Sequence, residues 1–282
     1  MIRHGNVYMT VTDFERKLPI YLTCVGKWRN QYLIDREEGW PDFQWIQCTR
    51  GQGELKIGEA KYTVMSGQGM LLYPDEAHKY YAVVEPWEVY WISFNGKHVR
   101  EILQSLDFCG SRVLTLANPD LLLKKFHDLH SAAESSDPMA GLQCSSITYG
   151  LILDLYRYGA YTDVRSKQQY FDQLAPALHL IEDRFHQALT LGDLAARLSV
   201  SPQHTCLLFQ LTLGIRPFEY ITNVRLRKAK ELLIREPSLP IAEVGRKVGY
   251  ENPSYFIKMF KRNEGITPRQ FRKNFLGDHV TA

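Results

Sequence analysis

One pattern occurs twice between residues 191 and 275, and it constrains the chain more than any other feature. The first copy reads LGDLAARLSVSPQHTCLLFQLTLGIRPFEY and the second IAEVGRKVGYENPSYFIKMFKRNEGITPRQF. Leu194 and Val244 are 50 residues apart, as are Leu198 and Val248; past the turn the offset becomes 51, for Phe209 and Phe260, Gly214 and Gly265, and Pro217 and Pro268. A period near fifty suits a solenoid or a propeller blade, but both need more copies. With two, each copy has to be a small self-contained unit.

The spacing predicts two helices in each copy. Leu191, Leu194, Ala195 and Leu198 follow a helical period; Ser201 is a natural cap and Pro202 suits the first helical position. Thr205, Leu208 and Phe209 then point inward until Gly214, a residue favoured past a helix end. The second copy repeats this with Val244, Gly245 and Val248, a turn at Gly249, a cap at Asn252, Pro253, then Phe256, Met259, Phe260 and Gly265. Small Ala195 and Gly245 stand where two helices cross closely. A single such pattern reads equally well as an ordinary helical hairpin; two with matched glycines and prolines read as helix-turn-helix units, whose second helix enters the DNA major groove. Residues 217–236 form one helical segment between them. Twenty residues span about 30 Å, close to the roughly 34 Å of one DNA turn, so both units can meet successive major grooves.

The stretches ALTLGDLAARLSVSP, LGIRPFEYITNVRLRKAKELL and PIAEVGRKVGYENPSYFIKMFKRNEGITPRQFRK resemble the DNA-binding domain of AraC/XylS-type bacterial transcription regulators. Exposed positions near each recognition-helix start are expected to reach base edges, with flanking cations on phosphates. In the second unit these are Ser254, Tyr255 and Lys258, with Asn252 near the backbone and Lys261 and Arg262 following. In the first they are Ser201, Gln203, His204, Cys206 and Leu207. That helix lacks any fixed cation: Gln203 suits adenine and Leu207 a thymine methyl, while Cys206 and Leu207 read equally as packed side chains. Arg225, Arg227 and Lys228 on the connecting helix are candidate phosphate contacts or a solvated face.

Charge agrees with a polyanion partner. The net charge is +3, but from residue 172 onward 16 Lys and Arg stand against 11 Asp and Glu, so +5, while the remainder has 18 against 20, so −2. A hydrophobic content of 45% describes an ordinary globular chain. No apolar run reaches the roughly 18 residues of a membrane span, and no secretory apolar core opens the chain. Five cysteines, at 24, 48, 109, 144 and 206, fit neither a disulfide framework nor a zinc spacing. A cytoplasmic location is expected.

Residues 1 to about 18 read as an irregular arm. From 19 to about 108, QWIQC, ELKIG, KYTVM and VYWISF alternate between glycine-rich turns, the pattern of a barrel or sandwich. The run RGQGELKIGEAKYTVMSGQGMLLYPDEAHKYY resembles the cupin-like sensor barrel of the same family, and LIDREEG, TRGQG and LLYPDEAHKYY resemble its arabinose-responsive branch. The resemblance implies a small-sugar pocket in which Arg36 meets sugar hydroxyls, Trp91 stacks, and Tyr80 and Thr23 contribute; Val89 stands where that branch carries a sugar-contacting histidine. The residues alone say less. Aromatics are dense (Trp28, Tyr32, Trp40, Trp45, Tyr80, Trp91), and rings serve sugar stacking or core packing alike. A barrel-facing Arg36 needs a partner, although it reads also as a surface residue. His78 has no second ligand beside it, so no metal is expected, and no cofactor or catalytic grouping stands out.

Segments 98–108, 118–135 and 140–160 read as helices, with stripes at Leu122, Phe126 and Leu129 and at Ile147, Leu151, Leu155 and Tyr158. They suit packing on the barrel, and the resemblance implies that they also pair two subunits. Residues 162–171 read as a linker. The expected architecture is an α+β multidomain chain. Residues 1–165 form an N-terminal cupin-like β-barrel with a helical dimerisation segment, and 172–276 a C-terminal all-α double helix-turn-helix domain. The expected function is a dimeric activator that is controlled by a small-molecule effector, a sugar such as a pentose, binds double-stranded promoter DNA and recruits RNA polymerase. A regulator with a non-sugar effector or none is one alternative; a cupin-type enzyme with a DNA-binding tail is another.

Overall fold

The computed structural model describes residues 5–160 and 165–277. The chain divides into two compact units, Met1–Gln168 and Gln169–Ala282. The first is built on β1 (Val7–Tyr8), β2 (Tyr21–Trp28), β3 (Ile34–Arg36), β4 (Phe43–Ile57), β5 (Ala60–Met65), β6 (Gln68–Leu72), β7 (His78–Asn95), β8 (Arg112–Leu116) and β9 (Gly159–Ala160), with helices α1 (Val99–Ser105), α2 (Pro119–Ala133) and α3 (Ala140–Tyr158). The strands form one antiparallel sheet in the order β1-β2-β7-β4-β6-β8-β9, with β3 also on β7 and β5 also on β4.

The sheet curls because β4 and β7 are long and their register shifts between Cys48 and Gly53, and such bulges bend a strand. Residues from both halves of each strand therefore meet: Ile46 and Cys48 pack with Leu55, and Tyr80 with Trp87 and Val89. The opposite face, Phe43, Trp45, Tyr90, Ile92 and Phe94, packs on Leu122, Phe126 and Leu129 of α2 and Leu151, Ile152 and Leu155 of α3. Phe43–Cys48 and Val89–Phe94 are buried on both faces and are mostly apolar. Trp45 thus faces the helices, while Trp91 faces the inside of the curl.

Three local expectations need correction. The arm is not wholly irregular, since Val7 and Tyr8 pair with Val25 and Cys24 of β2; residues 1–4 lie outside the described residues. Arg112–Leu116, between two segments that read as helices, is a strand on β6. The expected linker, 162–171, lies partly outside the described residues at 161–164, and its second half is already helix, because α4 runs Lys167–Arg184.

The second unit continues α4 with α5 (Leu191–Leu198), α6 (Pro202–Leu213), α7 (Pro217–Arg235), α8 (Ile241–Lys247), α9 (Pro253–Glu264) and α10 (Pro268–Leu276). Thr190 and Asp193 close a capping box on α5. Ser201 and Asn252 cap α6 and α9 by accepting from the amides of His204 and Tyr255, and Gly214 and Gly265 end them. The tight turns pass through left-handed residues, Ser199 at φ 54° and Gly249 at φ 89°. Where α8 crosses α9, a Cβ on Gly245 would stand 3.0 Å from the Phe256 ring, so only glycine fits without displacing that ring. Two cores result. Leu194, Leu208, Phe209, Ile221 and Val224 form one; Leu226, Leu233, Val244, Phe256 and Phe260 form the other. Helix α7 supplies both, and Phe185 packs against each.

Candidate functional site

The first unit holds a cavity of about 310 Å³. Its walls include Thr23, Arg36, Tyr80 and Trp91 together with Trp28, Tyr32, Trp40, Asp42, Gln44 and Ser93; Asn6 and Tyr8 of the arm complete them. Strand register explains the grouping. Gln44 is paired with Ser93, and Ile46 with Trp91, so β4 and β7 present alternate residues to the cavity. Gly26 is the partner of Trp91 across β2, and a Cβ there would stand 2.8 Å from the indole, so glycine makes room for the ring. Val89 does not line the cavity; it is fully buried in the cluster around Trp87.

The polar groups of the cavity are held by hydrogen bonds to one another. Arg36 Nη1 donates to Gln44 Oε1 at 2.6 Å, and Gln44 Nε2 donates to Ser93 Oγ at 2.9 Å. The Arg36 guanidinium lies over the Trp40 ring, 4.3 Å from its centroid. His78 Nδ1 lies 2.7 Å from the Glu76 carbonyl, to which it donates, which leaves Nε2 as an acceptor 3.4 Å from Arg36 Nη1. Burial, with the Arg36 charge adding to it, holds the His78 pKa below its ordinary value, so the ring is neutral at neutral pH. Burial pushes the Tyr80 phenol up to about 12 against the opposing pull of Arg36, so its hydroxyl stays protonated. Thr23 Oγ1 donates to Asp42 Oδ2 at 2.7 Å. The buried Trp91 Nε1 has no partner among the described residues. Among the described residues, no three His, Cys, Asp or Glu side chains cluster as metal ligands would.

Sequence reasoning missed Asp42, Gln44 and Ser93. For Gln44 and Ser93 the one signal was a polar side chain two residues from Ile46 or Trp91, on the same face of the strand; Asp42 lies just before β4.

In the second unit, Ser254, Tyr255, Lys258, Lys261 and Arg262 are exposed on α9. The three cations make no ion pair among the described residues. On α6, Gln203, Cys206 and Leu207 are exposed and His204 is half-buried, so Cys206 and Leu207 are not packed away. Ser201 and Asn252 use their side-chain oxygens as caps. Arg225, expected as a phosphate contact, has partners inside its own unit. Its Nε donates to the Phe185 carbonyl at 2.7 Å and its Nη2 to that of Gln187 at 2.8 Å, and the guanidinium sits 5.4 Å from the Tyr250 ring centroid. It ties α7 to the end of α4. Arg227 pairs with Glu182, and Lys228 with Glu231 at 3.2 Å. Both are exposed enough to exchange these partners for phosphates.

Residues 24–152 match the model of the AraC-like ligand binding domain, and residues 194–274 that of a helix-turn-helix domain. The chain belongs to the AraC family. It is a DNA-binding transcription regulator with a ligand-binding domain. It is similar to the lactose operon transcription activator of Staphylococcus xylosus, 25% identical over 80% of this chain and 82% of that protein. It is also similar to the arabinose operon regulatory protein of Escherichia coli K12, 25% identical over 86% of this chain and 84% of the relative. Among solved structures, the C-terminal domain of AraT, a response regulator from Geobacillus stearothermophilus, is 35% identical over 38% of this chain and 92% of its own, with a TM-score of 0.35. No helix among the described residues is long and apolar enough to cross a membrane.

Proposed function

We propose that this AraC-family regulator activates a sugar-utilisation operon when a small sugar occupies the cavity of its first unit. The observation that carries this reading is the placement of Arg36: a planar donor held by Gln44 and Trp40 beside two further rings, Tyr80 and Trp91, in one cavity. Sugars present flat apolar faces edged by hydroxyls, and such a wall answers both. The partnerless Trp91 Nε1 offers one more donor. A volume of about 310 Å³ lies at the small end of ligand cavities, which run about 300–1,000 Å³. The relatives' names supply the operon class.

A thermal-shift screen against pentoses and hexoses tests the effector. At 100 times its Kd, the true effector adds about 2.7 kcal/mol. Arg36→Ala should abolish that shift and the effector response while leaving effector-free DNA binding intact. A normal response in the variant contradicts the assignment.

The active species is a cytoplasmic homodimer that recruits RNA polymerase to the promoter. The pairing surface is not the stripe of Leu151 and Leu155, because both are fully buried within their own unit. The outward face of α3 carries Tyr149, 43% exposed, and Leu153, 41% exposed, one turn apart. Replacing these two with glutamate should yield monomers in sedimentation. A wild-type chain that stays monomeric at micromolar concentration, with and without effector and DNA, contradicts the dimer.

A further inference from the structure

Helix α6 carries no charged residue along its whole length, PQHTCLLFQLTL. Its inward face is already spent on Thr205, Leu208 and Phe209. Outward it exposes Gln203, Cys206 and two leucines one turn apart, Leu207 at 48% and Leu211 at 38%. Little polar capacity remains on this face. Ser201 Oγ accepts the His204 amide, and the Gln210 side chain donates to the Gly214 carbonyl at 3.3 Å. At the groove-entering end, that leaves Gln203, the half-buried His204 and the hydroxyl hydrogen of Ser201 to make polar contacts.

The base edges of DNA sort such a surface. Guanine shows two acceptors that Arg or Lys meets, and α6 has neither. Adenine shows an acceptor beside a donor, which a Gln amide meets in pairs, and thymine alone shows a methyl group. Gln203 and Leu207 are four residues apart on one face, about 6 Å along the axis. That covers adjacent base pairs or the next but one. We propose that α6 is an A·T-reading helix in which Leu207 covers a thymine methyl and Gln203 meets an adenine, so that this half of the operator is specified without any charged contact. The proposal rests on the reading that α6 lies in a major groove.

The test uses the full chain and a duplex selected by it from a random-sequence pool. Each thymine is replaced in turn by deoxyuridine, which removes the methyl and keeps the pairing. Affinity should fall about fourfold, the worth of one buried methyl group, at one or two positions under the first unit. In Leu207→Ala, an exposed-site change that leaves the core intact, thymine and uracil should bind alike at those positions. Alkylation of Cys206, next to Leu207 and exposed, reports separately on whether α6 lies against DNA. Protection of Cys206 with no uracil effect under the first unit overturns the A·T assignment and leaves the groove reading standing. A uracil effect that survives in Leu207→Ala overturns the role of Leu207. Cys206 alkylated at the same rate with and without DNA overturns both.

Discussion

Helices α6 and α9 begin alike, with a proline behind an oxygen-bearing cap, and end alike on a left-handed glycine. Both sink paired aromatic or aliphatic side chains into a core, Leu208 and Phe209 in one and Phe256 and Phe260 in the other. Outward they part company. The first presents Gln203, Cys206 and Leu207; the second presents Ser254, Tyr255, Lys258, Lys261 and Arg262. The repeated positions are those that sterics and capping dictate. The divergent ones face solvent, where folding imposes little. Similarity between the units therefore reports the fold, and the difference between them reports what each is free to recognise.

The largest effects should come from the shared part. Phe209→Ala and Phe256→Ala each remove a fully buried ring and should cost about 3–5 kcal/mol. Because the two cores are separate clusters joined by α7 and Phe185, amide exchange should rise first in α5–α6 for one variant and in α8–α9 for the other. Equal loss of protection in both pairs from either variant would show a single indivisible core.

Smaller effects separate structural from electrostatic arginines and lysines. Arg225→Met removes two charged donors from the Phe185 and Gln187 carbonyls and should lower stability by about 1.5–3 kcal/mol in urea melts, with the salt slope of DNA binding unchanged. Lys261→Ala should leave the melt within about 0.5 kcal/mol and reduce the slope by about one. If Arg225→Met flattens the slope and spares stability, Arg225 contacts phosphate after all.

The same distinction explains what was legible in the sequence. Caps, prolines and terminal glycines act at fixed offsets, so Ser201, Asn252, Gly214 and Gly265 mark the helix ends without tertiary information. The barrel strands read less well. Phe43–Cys48 of β4 and Val89–Phe94 of β7 are buried on both faces, which hides the alternation that would have separated Trp45 from Trp91. The five residues of β8 are too few to stand out between helices. At the cavity, family resemblance named Thr23, Arg36, Tyr80 and Trp91, but Gln44 and Ser93 become neighbours only through the β4–β7 register. The surroundings of Arg225 were illegible for a similar reason. Its partners are carbonyls about forty residues earlier, beyond the reach of any helical spacing. Leu151 and Leu155 form a clean apolar stripe, and a stripe does not say whether its own unit or a second copy covers it.

The central claim is that the two units hold DNA by different chemistry, with charge concentrated on the second. Footprinting and affinity measurements of Gln203→Ala and Lys258→Ala on one operator test it most directly. Lys258→Ala should lose preference at one base pair, a guanine, by about 1–3 kcal/mol, and weaken protection under the second unit. Gln203→Ala should cost less, because a neutral hydrogen bond is weaker than a charge-assisted one, and its effect should stay under the first unit. A larger loss from Gln203→Ala, confined to the half-site under the first unit, would contradict the account.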